Sequence, residues 1–393
     1  MIPNHPAVDF PTPPITPPIP NLHTHIKLTS WLSFPHDQHP VLVALSPAPV
    51  GTPDQSPFTY NFNSRPLSLA FHNPKSSPPR KATLRIPNNP ARSVTGSTSL
   101  RSSILDHAYV NGRRYHRYRH GRYPIPNDEA EQNREDMLHT MMMESTDGRL
   151  FYAPIGTNPQ KVIDLGTGTG LWAIEFGDRY PSAEVTGLDL SPIQPAWVPP
   201  NVKFLVDDVE AEWLNGDDFD FVHLRNMIPI LKSPVDLLKQ VYDNLKPGGW
   251  VELQDVDGRV HTDDDSVPAD WPLKRLTELL VDAFAQFGTN ASAAEFGRQY
   301  LEEAGFVNIQ HNYIKLPYGT WPKDKLMRLV GMYYRTACED FLPAVGAIHF
   351  PRMGWQQAEM EVFFAEVRLS MRDPAVHAYG KMHFWSGQKP LDF

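Results

Sequence analysis

From Lys161 to Gly170 the chain reads KVIDLGTGTG: an apolar, β-branched strand that ends in an acid and runs into three glycines at alternate positions. Asp164 closes the strand, and Gly166, Gly168 and Gly170 follow it. Glycine there lets the backbone turn tightly and approach a ligand with no side chain in the way. A second strand, Glu184 to Leu190 (EVTGLDL), delivers Asp189 nineteen residues beyond Gly170. A carboxylate at that distance is the expected acceptor for the two hydroxyls of a ribose. The pair of features predicts a nucleoside-cofactor site at the switch point of a doubly wound α/β sheet.

The spacing narrows the nucleoside. A dinucleotide fingerprint needs G-x-G-x-x-G, but counting from Gly166 places Leu171 at the third glycine, and the spacing here is G-x-G-x-G. No Gly-Lys-Ser/Thr follows, which excludes a phosphate-binding P-loop. Further elements arrive in order: a strand Val202 to Val206 ending in Asp207-Asp208, a strand Phe219 to Leu224, a helix from about Leu237 to Leu245, a Lys-Pro-Gly-Gly turn and a strand Trp250 to Gln254. This series resembles the class I S-adenosylmethionine (SAM) methyltransferases, motif by motif. The resemblance implies a Rossmann-like, seven-stranded doubly wound sheet with its last strand antiparallel. It also implies that the loop of Asp164, Gly166, Thr167, Gly168 and Gly170 cradles the methionine part of SAM. Asp189, with Leu190 beside it, would hold the ribose, and Asp208 with Val209 would meet the adenine.

The segment NGRRYHRYRHGRYPIPNDEAEQNREDMLH, the phrases LDLSPIQP (188–195) and DDVEAEWL (207–214), and the closing HFWSGQKP resemble the fungal LaeA-like methyltransferases. The likeness runs from about Tyr109 to Pro390. Two functions follow from it. One is a pathway enzyme of fungal secondary metabolism that methylates an O, N or C atom of a small molecule. The other is a nuclear regulator of secondary-metabolite gene clusters that works through protein partners of the velvet type or by protein methylation.

Methyl transfer from a sulfonium needs the nucleophile, carbon and sulfur held in line and water kept out. A base matters only where the acceptor carries a proton. In a class I sheet, positions just past the fourth and fifth strands face the methyl, which makes His223, Arg225, Asn226, Gln254 and Asp255 the candidates. His223 alternates within a strand, so a packed histidine is the competing reading. Arg225, Arg259 or a leader arginine is the expected partner of the cofactor carboxylate. The Asn-Pro-Pro-aromatic signature of amino-methylating enzymes is replaced after the fourth strand by Arg225-Asn226-Met227-Ile228.

A polar helix capped by Asn127 or Asp128 should run through Met143, with Met137, Leu138, Met141 and Met142 on one stripe. It either packs as ordinary core or closes over the cofactor. Beyond the fifth strand come helices at 271–287 and 292–304, a strand Phe306 to Leu316, helices at 323–339 and 356–370, and a final strand Met382 to Ser386. About sixty residues (318–379) thus interrupt the last antiparallel pair. They carry Trp321, Tyr333, Tyr334, Phe341, Phe350 and Trp355, the lining of a substrate lid or the insertion's own core.

About half of the 40 prolines fall in the first hundred residues, and no glutamate precedes Glu129. Residues 1–104 therefore read as a disordered or polyproline-like leader and 105–393 as the folded methyltransferase domain. Charge divides similarly: about +9 through Arg122 and about −18 beyond it. The run RRYHRYRHGR (113–122) alternates cations with aromatics as in nucleic-acid binding, or belongs to a leader packed at the cleft. An acidic catalytic half favours the second and argues against a nucleic-acid substrate. Cys338 is the single cysteine, so no internal disulfide or Cys-based zinc site can form, as expected for a reducing intracellular compartment, cytoplasmic or nuclear. The scattered histidines, His116 and His120 at i, i+4 included, give no metal-site pattern. No stretch is long and apolar enough to span a membrane, and no secretory signal opens the chain.

Overall fold

The computed structural model describes residues 107–116 and 125–391. The proline-rich leader and the run at 117–124 lie outside the described residues. A short hairpin, β1 (His107–Val110) and β2 (Arg113–His116), precedes helix α1 (Glu129–Ser145). Asp128 caps that helix by accepting a bond from the Glu131 amide, and Glu129 and Glu131 place acid in the first turn. Two arginines of the basic run fold back onto this end. Arg113 makes a two-pronged ion pair with Asp128 (2.6 and 2.9 Å), and Arg114 binds Glu129 and the Asn127 carbonyl. Both guanidinium groups are therefore spent on seating α1.

The doubly wound core follows: β3 (Lys161–Leu165), α2 (Leu171–Arg179), β4 (Glu184–Asp189), β5 (Val202–Val206), β6 (Phe219–Arg225), α3 (Pro234–Asn244) and β7 (Leu245–Val256). Then come α4 (Pro272–Ala285), α5 (Gly297–Glu303), β8 (Val307–Pro317), α6 (Lys325–Arg352), α7 (Gln357–Ser370) and β9 (Tyr379–Gln388). The sheet order is β5-β4-β3-β6-β7-β9-β8, with β9 antiparallel to both of its neighbours. This is the seven-stranded class I arrangement the motifs imply.

Strand alternation decides which helix each strand residue meets. Val162, Val185 and Phe221 pack with Trp172 and Phe176 of α2. Their neighbours Ile163, Leu165, Leu188, Val222 and Leu224 pack with Leu237, Leu238 and Val241 of α3. Burial on both faces explains why the parallel strands read as continuous apolar runs. The expected Lys-Pro-Gly-Gly turn is absorbed into β7, where the register slips between Phe219 and Phe221 and Gly248 takes φ +80°.

Helix α6 runs well past the expected end at 339, through Pro343 and Pro351. A proline inside a helix costs about 3 kcal/mol. Here Leu342, Val345 and Phe350 are fully buried and hold the helix in register. Tyr333, Tyr334 and Phe350 join Phe363 and Phe364 in one cluster with Met141 and Met142 of α1, and Phe341 and Trp355 pack against it. Trp321 donates to the Ala378 carbonyl. The insertion's aromatics thus build its own core, and α6 braces α1 from behind.

Candidate active site

A cavity opens at the carboxyl ends of β3, β4 and β6, walled on its outer side by α1. The glycine loop forms its floor. Gly168 sits at φ +56°, and a Cβ there would stand 2.6 Å from Glu135 Oε2. Gly170 takes φ +85° to start α2, where a Cβ would strike the Phe204 ring at 2.5 Å. The Gly168 peptide is fixed at both ends: its N–H donates to Asp189 Oδ2 (2.9 Å) and its carbonyl accepts from Gln194 Nε2 (2.7 Å). Asp189 also accepts from the Ser191 amide at 2.8 Å. Burial pushes its carboxyl up to about 6 against those two bonds.

Of the residues singled out in the sequence, Gly166, Thr167, Gly168, Asp189, Leu190, Asp208, Val209, Arg225 and Asn226 line the cavity. Asp164 does not. Its carboxylate is consumed by Thr167 Oγ1 (2.6 Å) and His223 Nδ1 (2.8 Å), so it holds the loop from beneath. Gly170 lies behind it as the α2 cap. Two candidates for the methyl-transfer site are corrected by the packing. His223 is fully buried, stacked on Trp172 at 3.8 Å, with burial lowering its basicity. Gln254 donates to the Leu150 carbonyl and Glu252 inside the protein. By strand register both share a sheet face with Arg225, but neither lines the cavity, each side chain being held in the packed interior. Asp255 is likewise internal: it accepts from the Ile228 amide at 3.1 Å and pins the turn after β6.

Helix α1 lines the cavity with Leu138 and Met142 of its expected stripe and with polar residues not singled out in the sequence. Glu131, Arg134, Glu135, Leu138, His139 and Met142 all line the cavity. Glu131, Glu135 and His139 stand four residues apart, so they fall on one helix face; that spacing was the available signal. Glu131 is buried and bound through one oxygen to Arg134, while its Oε2 has no hydrogen-bond partner among the described residues. Burial, then the neighbouring Glu131, pushes the Glu135 carboxyl up to about 8, with Asp189 and Asp136 adding and Arg134 opposing. His139 bridges Glu175 (3.0 Å) and the Arg225 guanidinium (3.0 Å), and burial lowers its basicity. Arg225 has no carboxylate within 4 Å among the described residues, so its charge is left for a ligand. Arg259, the rival for that role, is paired with Glu295 instead.

The donor set fits S-adenosylmethionine on these observations. Asp189 offers an acceptor for ribose hydroxyls, Glu131 and Glu135 offer carboxyl oxygens for an ammonium, and Arg225 offers a cation for a carboxylate. Asp208, Val209, Ile230 and Leu231 wall the far end.

A family profile described as "Methyltransferase domain" matches residues 134–311. The chain is 38% identical over 295 residues to "Methyltransferase pytC" of Aspergillus terreus, covering 75% of this chain and 91% of that one. It is 36% identical over 288 residues to "Secondary metabolism regulator LAE1" of Cochliobolus heterostrophus, covering 71% and 94%. To "Protein-methionine methyltransferase laeA" of Emericella nidulans it is 34% identical over 288 residues, covering 72% and 76%. With this sheet order, this cavity and these relatives, the chain belongs to the SAM-dependent methyltransferases, in the group that contains pytC and the laeA/LAE1 proteins.

Proposed function

We propose that this methyltransferase acts in fungal secondary metabolism on a small-molecule acceptor. SAM supplies an electrophilic methyl on a sulfonium; the chain's residues bind, orient and exclude water. The supporting observation is the composition of the cavity. Its polar residues cluster around the glycine loop and Arg225, while Leu138, Met141, Met142, Met227, Val256 and Met382 form an apolar wall. Such a wall takes an apolar acceptor and excludes water, and methionine adapts to irregular shapes. Within the cavity no imidazole is left for proton abstraction, since both His139 nitrogens are engaged. The chain's contribution is therefore positioning, with Asn226 and Arg225 at the end of β6 nearest the transfer site. The name of the Emericella nidulans relative, a protein-methionine methyltransferase, supports a second reading, a protein acceptor.

Titration calorimetry of SAM and S-adenosylhomocysteine against native protein and Asp189→Ala tests the cofactor site. Micromolar binding lost by about a hundredfold in the variant supports it; no binding by folded protein sinks it. Labelled methyl from SAM, given to a host extract split by size, then separates a small-molecule acceptor from a protein one.

A further inference from the structure

A continuous chain of hydrogen bonds runs from the outside of α2 to the wall of the cofactor cavity. Arg179 Nη2 donates to Glu175 Oε2 at 3.2 Å, and its Nη1 donates to the Gly148 carbonyl just past α1 at 2.6 Å. The other oxygen of Glu175 meets His139 Nε2 at 3.0 Å, and Arg225 Nη2 meets His139 Nδ1 at 3.0 Å. His139 and Arg225 line the cavity, whereas Glu175 and Arg179 stand behind them. Because Arg225 ends β6 and His139 belongs to α1, the bond between them joins the sheet to the helix that walls the site.

Chemistry fixes the direction of each bond. A guanidinium carries donors only, so His139 Nδ1 accepts from Arg225. The ring hydrogen is then on Nε2, where it donates to Glu175, and a carboxylate at one ring nitrogen is what sets the tautomer. Only the neutral ring makes both bonds, and burial of His139 favours that form. Among the described residues the Arg225 side chain has no other hydrogen bond. A free arginine side chain samples many directions; a bond to a buried, anchored ring removes much of that freedom before a ligand arrives.

We propose that His139, anchored by Glu175, is a positioning residue for cofactor recognition: it aims Arg225 at the carboxylate of SAM, so that the site selects a cofactor with an intact amino-acid end. This role rests on the cofactor reading above, in which Arg225 meets that carboxylate. His139 acts through Arg225, while the nucleoside end is held by the glycine loop and Asp189. Loss of the imidazole should therefore change which ligand the site prefers more than it changes binding of the adenosine part.

Full-length protein is titrated by calorimetry with SAM and with decarboxylated SAM, which keeps the adenosine, sulfonium and ammonium and lacks only the carboxylate. Native protein should prefer SAM by about tenfold or more. His139→Leu should cut that preference to about threefold or less by weakening SAM, while affinity for the decarboxylated ligand moves by less than about twofold and so reports an intact fold. His139→Asn, whose Oδ1 replaces Nδ1 as the acceptor for Arg225, should restore most of the preference. Arg225→Leu should abolish it, and adding His139→Leu to that variant should change nothing further, as for two residues acting through one contact. Glu175→Ala frees the ring from the partly exposed side and should lower the preference in the same direction, which keeps the test open where His139→Leu fails to fold. Equal losses for both ligands, a preference unchanged in His139→Leu and Glu175→Ala, or a native protein that does not distinguish the two ligands overturns the role and leaves the SAM site standing. Binding of neither ligand by folded native protein overturns the role together with the cofactor reading.

Discussion

At the residue scale, the glycine loop was legible because its chemistry is local. A positive φ, a close approach and a ribose carboxylate all leave a fixed spacing in sequence. Glu135 was not legible in that way, because its importance arises only when α1 is laid across Gly168. Its raised carboxyl makes a signed prediction. The folded state keeps a proton that the unfolded chain, titrating near 4.5, has released. This contribution to stability is complete below the unfolded value and is lost as pH rises through about 8. Glu135→Gln should therefore be less destabilised than native protein between pH 7 and 9, as read by Tm across that range. A cationic cofactor favours the ionised carboxyl, so native SAM affinity should climb toward pH 8 and calorimetry in two buffers should show proton release. In Glu135→Gln both effects should vanish above pH 7; a pH profile unchanged by the substitution would remove Glu135 from the site. Gly168→Ala probes the same contact from the other side. Its left-handed backbone costs an L-residue about 1 kcal/mol, and the new methyl must push the Glu135 carboxyl away. SAM affinity should fall about tenfold, with Tm lowered by a few degrees.

At the element scale, the five parallel strands announced themselves as apolar runs because both faces are covered, while α6 was underestimated because proline usually ends a helix. Pro343 is tolerated there because Leu342 and Val345 on either side are buried against the insertion's core, a tertiary fact with no local signature. His223 and Gln254 were misplaced for a related reason. Alternation puts them on the same face as Arg225, but does not say how far along that face the cavity reaches before the packed interior begins. Helix α1 carries the largest share of unforeseen site residues, and its seat is a short polar device. Asp128 caps the helix and binds Arg113 through both oxygens. Asp128→Ala removes cap and ion pair together and should cost about 1–2 kcal/mol. Because α1 bears Glu131, Glu135 and His139, SAM affinity should drop as well, whereas Asp128→Asn keeps the cap and should recover most of the stability. Equal losses in both variants, measured by denaturant unfolding, would mean the ion pair rather than the cap seats the helix.

At the scale of the whole molecule, the chain joins a mildly basic, proline-rich first quarter to an acidic methyltransferase domain. The division matters for function because the two readings of the protein lean on different parts. The pathway-enzyme reading rests on the cavity, and the regulator reading rests on partners that a proline-rich segment is suited to meet. Every described residue that lines the cavity falls between Pro126 and Met382, and the hairpin that seats α1 begins at His107. Among the described residues, the bonds that fix the glycine loop, Asp189 and α1 all lie within the same span. A protein comprising residues 105–393 should therefore keep native Tm within about 2 °C and SAM affinity within about twofold. Methyl transfer to a small-molecule acceptor should survive in it unchanged, while any protein acceptor recruited through the leader should be lost. If truncation instead weakens SAM binding tenfold or more, the leader is part of the cofactor site. The division at residue 104 would then have to be abandoned in favour of one cooperative unit that closes over the cavity.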